Sequence, residues 1–349
     1  MSTHLITGGN GFVGTFLCDH ILNKNEKVIL VDIIEDANVD SRAKFIKCDI
    51  TNFEEINKIL KENHVDYVYH CAALVPIKKS GKKFRDVNVK GTENVANSAI
   101  QNKIKHFVHI SSSAVFGNVT KSDCPISRYP DNLKPIEIYG KSKFDAESLI
   151  KRFIKIDNQE TSFSIIRPRT IIGTKRLGIF EILFEWIDEG RNIYIIGKGN
   201  NIFQFIHVED LCDAIYRSAI KSKNDIYNVG STNFFTLKET LDYLCETSGS
   251  GSVVKPLPKN LVISILKFLD FIGLSPLAPW HYLTYHKDYF FDVSHTINEL
   301  NWYPKYDDKT MIKESYEWYL NNKDNLKSIG SAHKSKIKQK LIKFIKYLS

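Results

Sequence analysis

The chain has 349 residues, 43% of them hydrophobic and 25% charged, an ordinary soluble balance with enough length for one large unit or two intimate domains. Its net charge of +8 would suit a polyanion, but six of those charges are lysines among residues 331–349, which contain no acid. The body is nearly neutral, so a nucleic-acid groove is not supported. Cys18, Cys48, Cys71, Cys124, Cys212 and Cys245 stand far apart, with no C-x-x-C pair and no Cys/His cluster at metal-ligand spacing. Reduced thiols and no metal site are expected. The N-terminus shows neither the basic nor the apolar region of a signal peptide, which gives an expectation of a cytoplasmic protein.

Residues 3–7 predict a short strand that breaks into Thr7-Gly8-Gly9-Asn10-Gly11-Phe12-Val13-Gly14 and continues as an amphipathic helix through Leu17, Ile21 and Leu22. Glycines at 8, 11 and 14 allow a tight turn, close backbone approach to a pyrophosphate, and close helix–strand packing, with the helix N-terminus facing the anion. A bare glycine-rich turn is the alternative; the strand-to-helix context favours a dinucleotide site. A second strand, 27–31, ends on Asp32, where a carboxylate accepts hydrogen bonds from ribose hydroxyls and repels a 2′-phosphate. No arginine follows at Ile33 or Ile34, so NAD is favoured over NADP. Strand patterns recur at 45–50, 65–73, 106–110 and, late in the chain, 225–230, with helical periodicity between the earlier ones. Such alternation predicts an α/β fold with a parallel sheet.

Several ordered motifs now resemble the extended short-chain dehydrogenase/reductase family, in its NAD-dependent epimerase/dehydratase branch, over most of the chain to about residue 320. The stretch from Thr7 to Gly14 matches TGxxGxxG, and His70-Cys71-Ala72-Ala73 looks like the strand-4 motif beside the cofactor. Asn88-Val89-Lys90-Gly91-Thr92 matches NxxGT; Ser111 to Gly117 is similar to SSxxVYG, and Tyr139 to Lys143 is similar to YxxxK. The resemblance implies a Rossmann-like doubly wound parallel sheet over 1–170, with a returning segment near 200–232. It further implies a smaller substrate lobe over 171–320 and a homodimer through helices near 88–102 and 141–155. It assigns NAD to Gly8, Gly11, Phe12, Val13, Gly14, Asp32, Asp49, Ile50, Cys71, Ala72, Ala73, Asn88, Tyr139, Lys143 and Pro168. Counting back four residues from Phe116 identifies Ser112 as the serine that orients the substrate oxygen.

Oxidising a secondary alcohol removes a hydroxyl proton as hydride leaves the same carbon, and reduction reverses both transfers. Tyr139 serves as acid and base near neutral pH only if positive charge favours its phenolate, and Lys143 and the nicotinamide would supply that charge. Tyr-x-x-x-Lys also occurs at Tyr194/Lys198 and Tyr319/Lys323. Only the first follows the serine-bearing strand and begins a helical stretch; a helix-surface tyrosine and lysine would account for the other two.

Dehydratases of this family carry an Asp-Glu pair where this chain has Ser113 and Ala114, which disfavours dehydration. The run 165–173 resembles RPxNxxG and the run 197–210 resembles GxGxxxRxFxxVxD, with Thr170 in place of the asparagine and Phe203 in place of the arginine. Those two family residues meet the nucleotide sugar. Arg167, Arg169, Lys175 or Arg176 is the available compensation. Substrate contacts are expected from Ser112, Ser113, Arg169, Thr170 and Phe203. The resemblance leaves open a C4 epimerase, or a related oxidoreductase, on a nucleotide-linked or lipid-diphosphate-linked sugar, working through a keto intermediate. A dehydrogenase of sterol-like or other lipid alcohols, similar to the 3β-hydroxysteroid dehydrogenase branch, also stays open. A catalytically idle NAD-binding regulator is the third reading, and retention of Ser112, Tyr139 and Lys143 argues against it.

Residues 261–274 predict an almost wholly apolar helix, too short to span a bilayer, belonging either to the core or to a lipid interface. The polar stretch 321–331 predicts a linker. Beyond it Ile337, Leu341, Phe344, Ile345 and Leu348 mark a basic amphipathic tail helix ringed by lysines. It would either attach through 334–348 to an anionic membrane surface or pack on its own domain.

Overall fold

Buried strands and half-buried helices alternate through the first half of the computed structural model, which describes residues 1–329 except 36–39, 76–80, 82, 131–132, 158, 176, 179, 274 and 276–278. The order is β1 (Thr3–Thr7), α1 (Phe12–Leu22), β2 (Lys27–Asp32), β3 (Lys44–Lys47), α2 (Phe53–Glu62) and β4 (Tyr67–His70). Helix α3 (Lys83–Arg85) then runs through a π-helical turn into α4 (Thr92–Gln101), followed by β5 (His106–Ile110), α5 (Ile138–Ile154) and β6 (Ser162–Pro168). The second half holds β7 (Thr170–Ile172), α6 (Phe180–Asp188), β8 (Ile193–Ile196), β9 (Phe205–His207), α7 (Val208–Lys221) and β10 (Asp225–Val229). It closes with α8 (Leu237–Ser248), β11 (Val254–Leu257), α9 (Lys259–Phe271), α10 (Pro279–Thr284), α11 (Ser294–Leu300) and α12 (Asp308–Ile329).

Seven strands form one sheet in the order β10-β6-β5-β4-β1-β2-β3, parallel at every pairing. Leu17 and Ile21 of α1 and Leu211 and Ile215 of α7 pack on one face. Ile56 of α2, Val95 of α4 and Ile150 of α5 pack on the other. Both faces are thus covered, as strands this apolar require. The chain moves outward from β1 to β2 and β3, then returns to β4 on the opposite side of β1, and ligands of such sheets sit at that reversal, beyond the carboxyl ends of the strands. The late strand at 225–230 joins the main sheet as β10, its Ile226 opposite Ile165 of β6.

A smaller lobe has its own core around Phe184, Phe203, Phe205, Leu244, Tyr289 and Tyr316, and contains the parallel pairs β8–β11 and β7–β9. Helix α9 buries Leu266 but leaves Leu261, Ile265 and Phe268 exposed, so it is apolar on two sides. The expected linker from residue 321 is instead the last part of α12, which reaches Ile329. Two contacts hold it there: Leu326 packs on the lobe core, and the Lys323 ammonium bonds both Asp188 carboxylate oxygens at 2.9 and 2.8 Å. The tail helix expected over 334–348 lies outside the described residues. Among the described residues, no helix is long and apolar enough to cross a membrane.

Helix α5 is fastened to the sheet by a buried ion pair. Arg167, fully buried on β6, binds Glu147 of α5 through Nη2 and through Nε at 3.0 Å, and its Nη1 donates to the Arg128 carbonyl at 2.7 Å. Glu147 also accepts from Ser111 Oγ at 2.8 Å and pairs with Lys151 at 2.7 Å. Burial alone would raise the Glu147 carboxyl, yet Arg167 and Lys151 together bring it down to about 2. Removing one partner strands the other charge, so Glu147→Ala should lower unfolding free energy by about 3–5 kcal/mol in urea titrations. Because the folded value lies below the ordinary 4.5, the carboxylate's contribution is complete above that pH and is lost as pH falls toward about 2. A wild-type-like urea midpoint in Glu147→Ala would remove the pair from this role.

Candidate active site

Gly8 ends β1 with φ +68, and a Cβ there would lie 2.6 Å from the Ala72 amide nitrogen. A Cβ at Gly14 would lie 2.3 Å from the Gly8 carbonyl oxygen. Positions 8 and 14 are therefore closed to side chains, and the turn feeds α1, whose N-cap, Gly11, places no side chain over the first amides. At the tip of β2, the Asp32 carboxylate accepts from the Asn10 amide at 3.1 Å and the Ile33 amide at 2.7 Å, which fixes it beside the turn. A cradle without room for Cβ, an uncapped helix start and a fixed acid fit a dinucleotide with a free ribose 2′-hydroxyl. Val13, Cys71 and Ala73 continue this surface into a cavity of about 290 Å³.

Four other positions that the resemblance assigns to the cofactor, Phe12, Asp49, Ile50 and Asn88, are not among the residues lining this cavity. Phe12 packs edge-on against Phe16, with ring centroids 5.7 Å apart. Asp49 is exposed, and its carboxylate accepts from the Thr51 amide and hydroxyl at 2.9 and 2.8 Å. Ile50 is buried beneath Gly91, where a Cβ would meet its side chain at 2.5 Å. Asn88 exchanges hydrogen bonds with the Leu74 backbone at 2.7 and 3.1 Å and donates to Ser142 Oγ at 2.9 Å, so its amide positions the β4 loop against α5.

The cavity wall brings Ser112, Tyr139 and Lys143 together. Ser112, in extended backbone just past β5, accepts from the Ala114 amide at 3.1 Å and shares the cavity wall with Tyr139. Tyr139 begins α5, and Lys143, one turn later and buried, donates to the Ile110 carbonyl at 2.8 Å. Burial lowers Lys143 to about 8 and raises the Tyr139 hydroxyl, the neighbouring Ser112 hydroxyl opposing the latter shift. The protein by itself thus holds Tyr139 as the neutral phenol. His70, between Thr7 Oγ1 at 2.8 Å and Thr92 Oγ1 at 2.9 Å, is lowered to about 3 by burial and stays neutral.

Ser113, Pro168, Arg169 and Thr170 also line the cavity, joined from the lobe by Trp280, His281 and Tyr285. Phe203 does not line it: fully buried, it lies behind the wall against Phe205 and Tyr285, because the lobe core claims its ring. Of the cationic alternatives, Arg167 is committed to Glu147 and Lys175 reaches Asp19 on the surface at 3.3 Å; Arg176 lies outside the described residues. Arg169 alone of these lines the cavity. Sequence reasoning missed Glu137, whose cavity-lining carboxyl is raised to about 7 by burial, with Asp270 of α9 adding to the shift. An acid two residues ahead of Tyr139 was the available signal. Neither remaining Tyr-x-x-x-Lys is a helix-surface pair: Tyr194 lies in β8, and Tyr319 is buried in α12.

Residues 4–230 match the profile of the NAD dependent epimerase/dehydratase family. An uncharacterized protein of Sinorhizobium fredii, y4nG, is 32% identical over 99% of this chain and 86% of its own length. A putative UDP-glucose 4-epimerase of Methanocaldococcus jannaschii is 26% identical over 91% of this chain and 98% of its own. The structure of a UDP-glucose 4-epimerase from Thermotoga maritima, solved with UDP-glucose, superposes with a TM-score of 0.76 at 21% identity, over 92% of this chain and 99% of that one, a likeness of fold.

The fixed Asp32 carboxylate sets a cofactor preference. NAD should bind at least tenfold more tightly than NADP, a difference of about 1.4 kcal/mol, and Asp32→Ser should narrow the gap in calorimetric titrations. Equal binding of both cofactors by the wild-type chain would contradict this role.

Proposed function

The chain belongs to the NAD-dependent epimerase/dehydratase family of extended short-chain dehydrogenases/reductases, and from that premise we propose that it inverts one secondary alcohol of a sugar, at C4, through a transient ketone. The sugar is carried on a nucleotide or a lipid diphosphate. The observation that carries the reading is the meeting of Ser112, Tyr139 and Lys143 in one cavity, reached from the glycine turn through Val13, Cys71 and Ala73.

The 8–14 turn and Asp32 would hold NAD, which when bound would supply reversible hydride acceptance. Tyr139 Oη takes the proton of the sugar hydroxyl as the carbon is oxidised and gives it back to the ketone oxygen on reduction. Ser112 Oγ donates a hydrogen bond to that oxygen. Burial favours the neutral phenol, so the phenolate needs positive charge beside it. Lys143, near 8, is mostly protonated at neutral pH and supplies part of that charge, and it would hold the nicotinamide ribose. Ser113 and Ala114 provide no acid–base pair for elimination, which favours inversion over dehydration. The proposal includes a homodimer through α4 and α5.

Two experiments test this reading. With catalytic NAD and a panel of UDP-linked and lipid-diphosphate-linked hexoses, NMR should show a 4-epimer without net NADH. Stoichiometric NADH would instead identify a net dehydrogenase. Tyr139→Phe should lower turnover at least a hundredfold while NAD binding is retained; turnover near wild type would remove Tyr139 from the mechanism.

A further inference from the structure

Behind the catalytic cavity lies a second one of about 340 Å³, formed by Trp186 of α6, Leu241 of α8, and Val262 and Leu266 of α9, among other apolar side chains. The two cavities share His281 and Tyr285. Among the described residues no lysine, arginine or carboxylate lines the second cavity, so it gives a diphosphate little to bind. Its size and lining suit a flexible apolar chain.

Arg169 also lines the catalytic cavity; it is 1% exposed, with Nε, Nη1 and Nη2 all buried and none hydrogen-bonded. Its guanidinium lies 4.3 Å from the Tyr289 ring centre, 4.8 Å from that of Phe203 and 5.5 Å from that of Phe291. Aromatic faces stabilise a cation in part but leave its five N–H donors without acceptors. A buried guanidinium in that condition is strongly destabilising unless an anion meets it. Among the described residues no carboxylate pairs with it; the acid that acts on it is Asp308, buried in the lobe with Oδ1 bonded to Ser231 and the Phe205 amide and Oδ2 unpartnered, and it gives the guanidinium no hydrogen bond. The sequence departure at Phe203 thus coincides with a cation on the neighbouring side chain.

We propose that the substrate is an amphiphile: an anionic phosphate meets Arg169 beside the sugar, and an apolar chain passes Tyr285 into the second cavity. This deepens the function proposed above by selecting the lipid-linked sugar over the nucleotide-linked one, and it rests on that reading only for the sugar chemistry.

The test is a binding series on the NAD-loaded full chain: inorganic phosphate, then hexyl, octyl and decyl phosphate below their micellar concentrations, with decanol and UDP as comparison arms. Each added methylene should tighten binding about fourfold, levelling off on the order of ten carbons if each fills ~30 Å³, a volume like that of water. Val262→Trp, on α9, should flatten the series, and Arg169→Met should weaken every phosphate at least tenfold, with decanol unaffected. Decyl phosphate binding no tighter than inorganic phosphate overturns the proposal, as does UDP binding tighter than decyl phosphate. Decanol matching decyl phosphate removes the anion from it. Because the series needs no turnover, its outcome is independent of whether Tyr139 acts as proposed.

Discussion

Everything at the site depends on one steric constraint: β1 and β4 lie so close at their carboxyl ends that residue 8 must be glycine. A Cβ there would strike the Ala72 backbone, and one at residue 14 would strike the Gly8 carbonyl. This contact occurs where the sheet reverses direction, between β1 and β4. It aims the start of α1 at the same crevice that receives the ends of β4 and β5. Helix α5 is then held to that crevice from two sides, by Asn88 through Ser142 and by the Arg167–Glu147 pair. Tyr139 and Lys143 inherit their places from those anchors.

Burial shifts several groups around the cavity in a common direction, toward the neutral form. Lys143 falls to about 8, Glu137 rises to about 7, Arg169 falls to about 10 and Tyr139 rises. A wall of this kind favours ligands that bring their own countercharge. For Tyr139 that is the charge of the oxidised nicotinamide, and for Arg169 it is an anion on the substrate. The same low dielectric that makes an unpaired Arg169 unfavourable strengthens its attraction to the right ligand.

Much of the architecture was legible because it is local. The glycine spacing, the apolar strands and the acid at the tip of β2 each act within a few residues, and 225–229 reads as a strand from its own composition. What was not legible depends on packing across the chain. Phe203 reads as a substrate contact by alignment, but its ring belongs to the lobe core, and Arg169 lines the cavity instead. The last turns of α12 look like a linker until Asp188 and the lobe core supply partners from more than a hundred residues away. Of three similar Tyr-x-x-x-Lys stretches, the fold places one on the wall shared with Ser112 and puts the others in a strand and at a buried helix position.

The central claim is that proton and hydride follow separate routes, the proton through Tyr139 and the hydride through NAD, with one carbon inverted between them. The most direct measurement supplies a hexose deuterated at C4, on UDP and on a decyl diphosphate, to the NAD-loaded chain in ordinary water and follows the product by NMR. The account predicts a C4-inverted product that keeps its deuterium at C4, formed faster from the decyl diphosphate. Inversion with deuterium replaced by solvent hydrogen would contradict it, because the C4 hydrogen would then be moving as a proton.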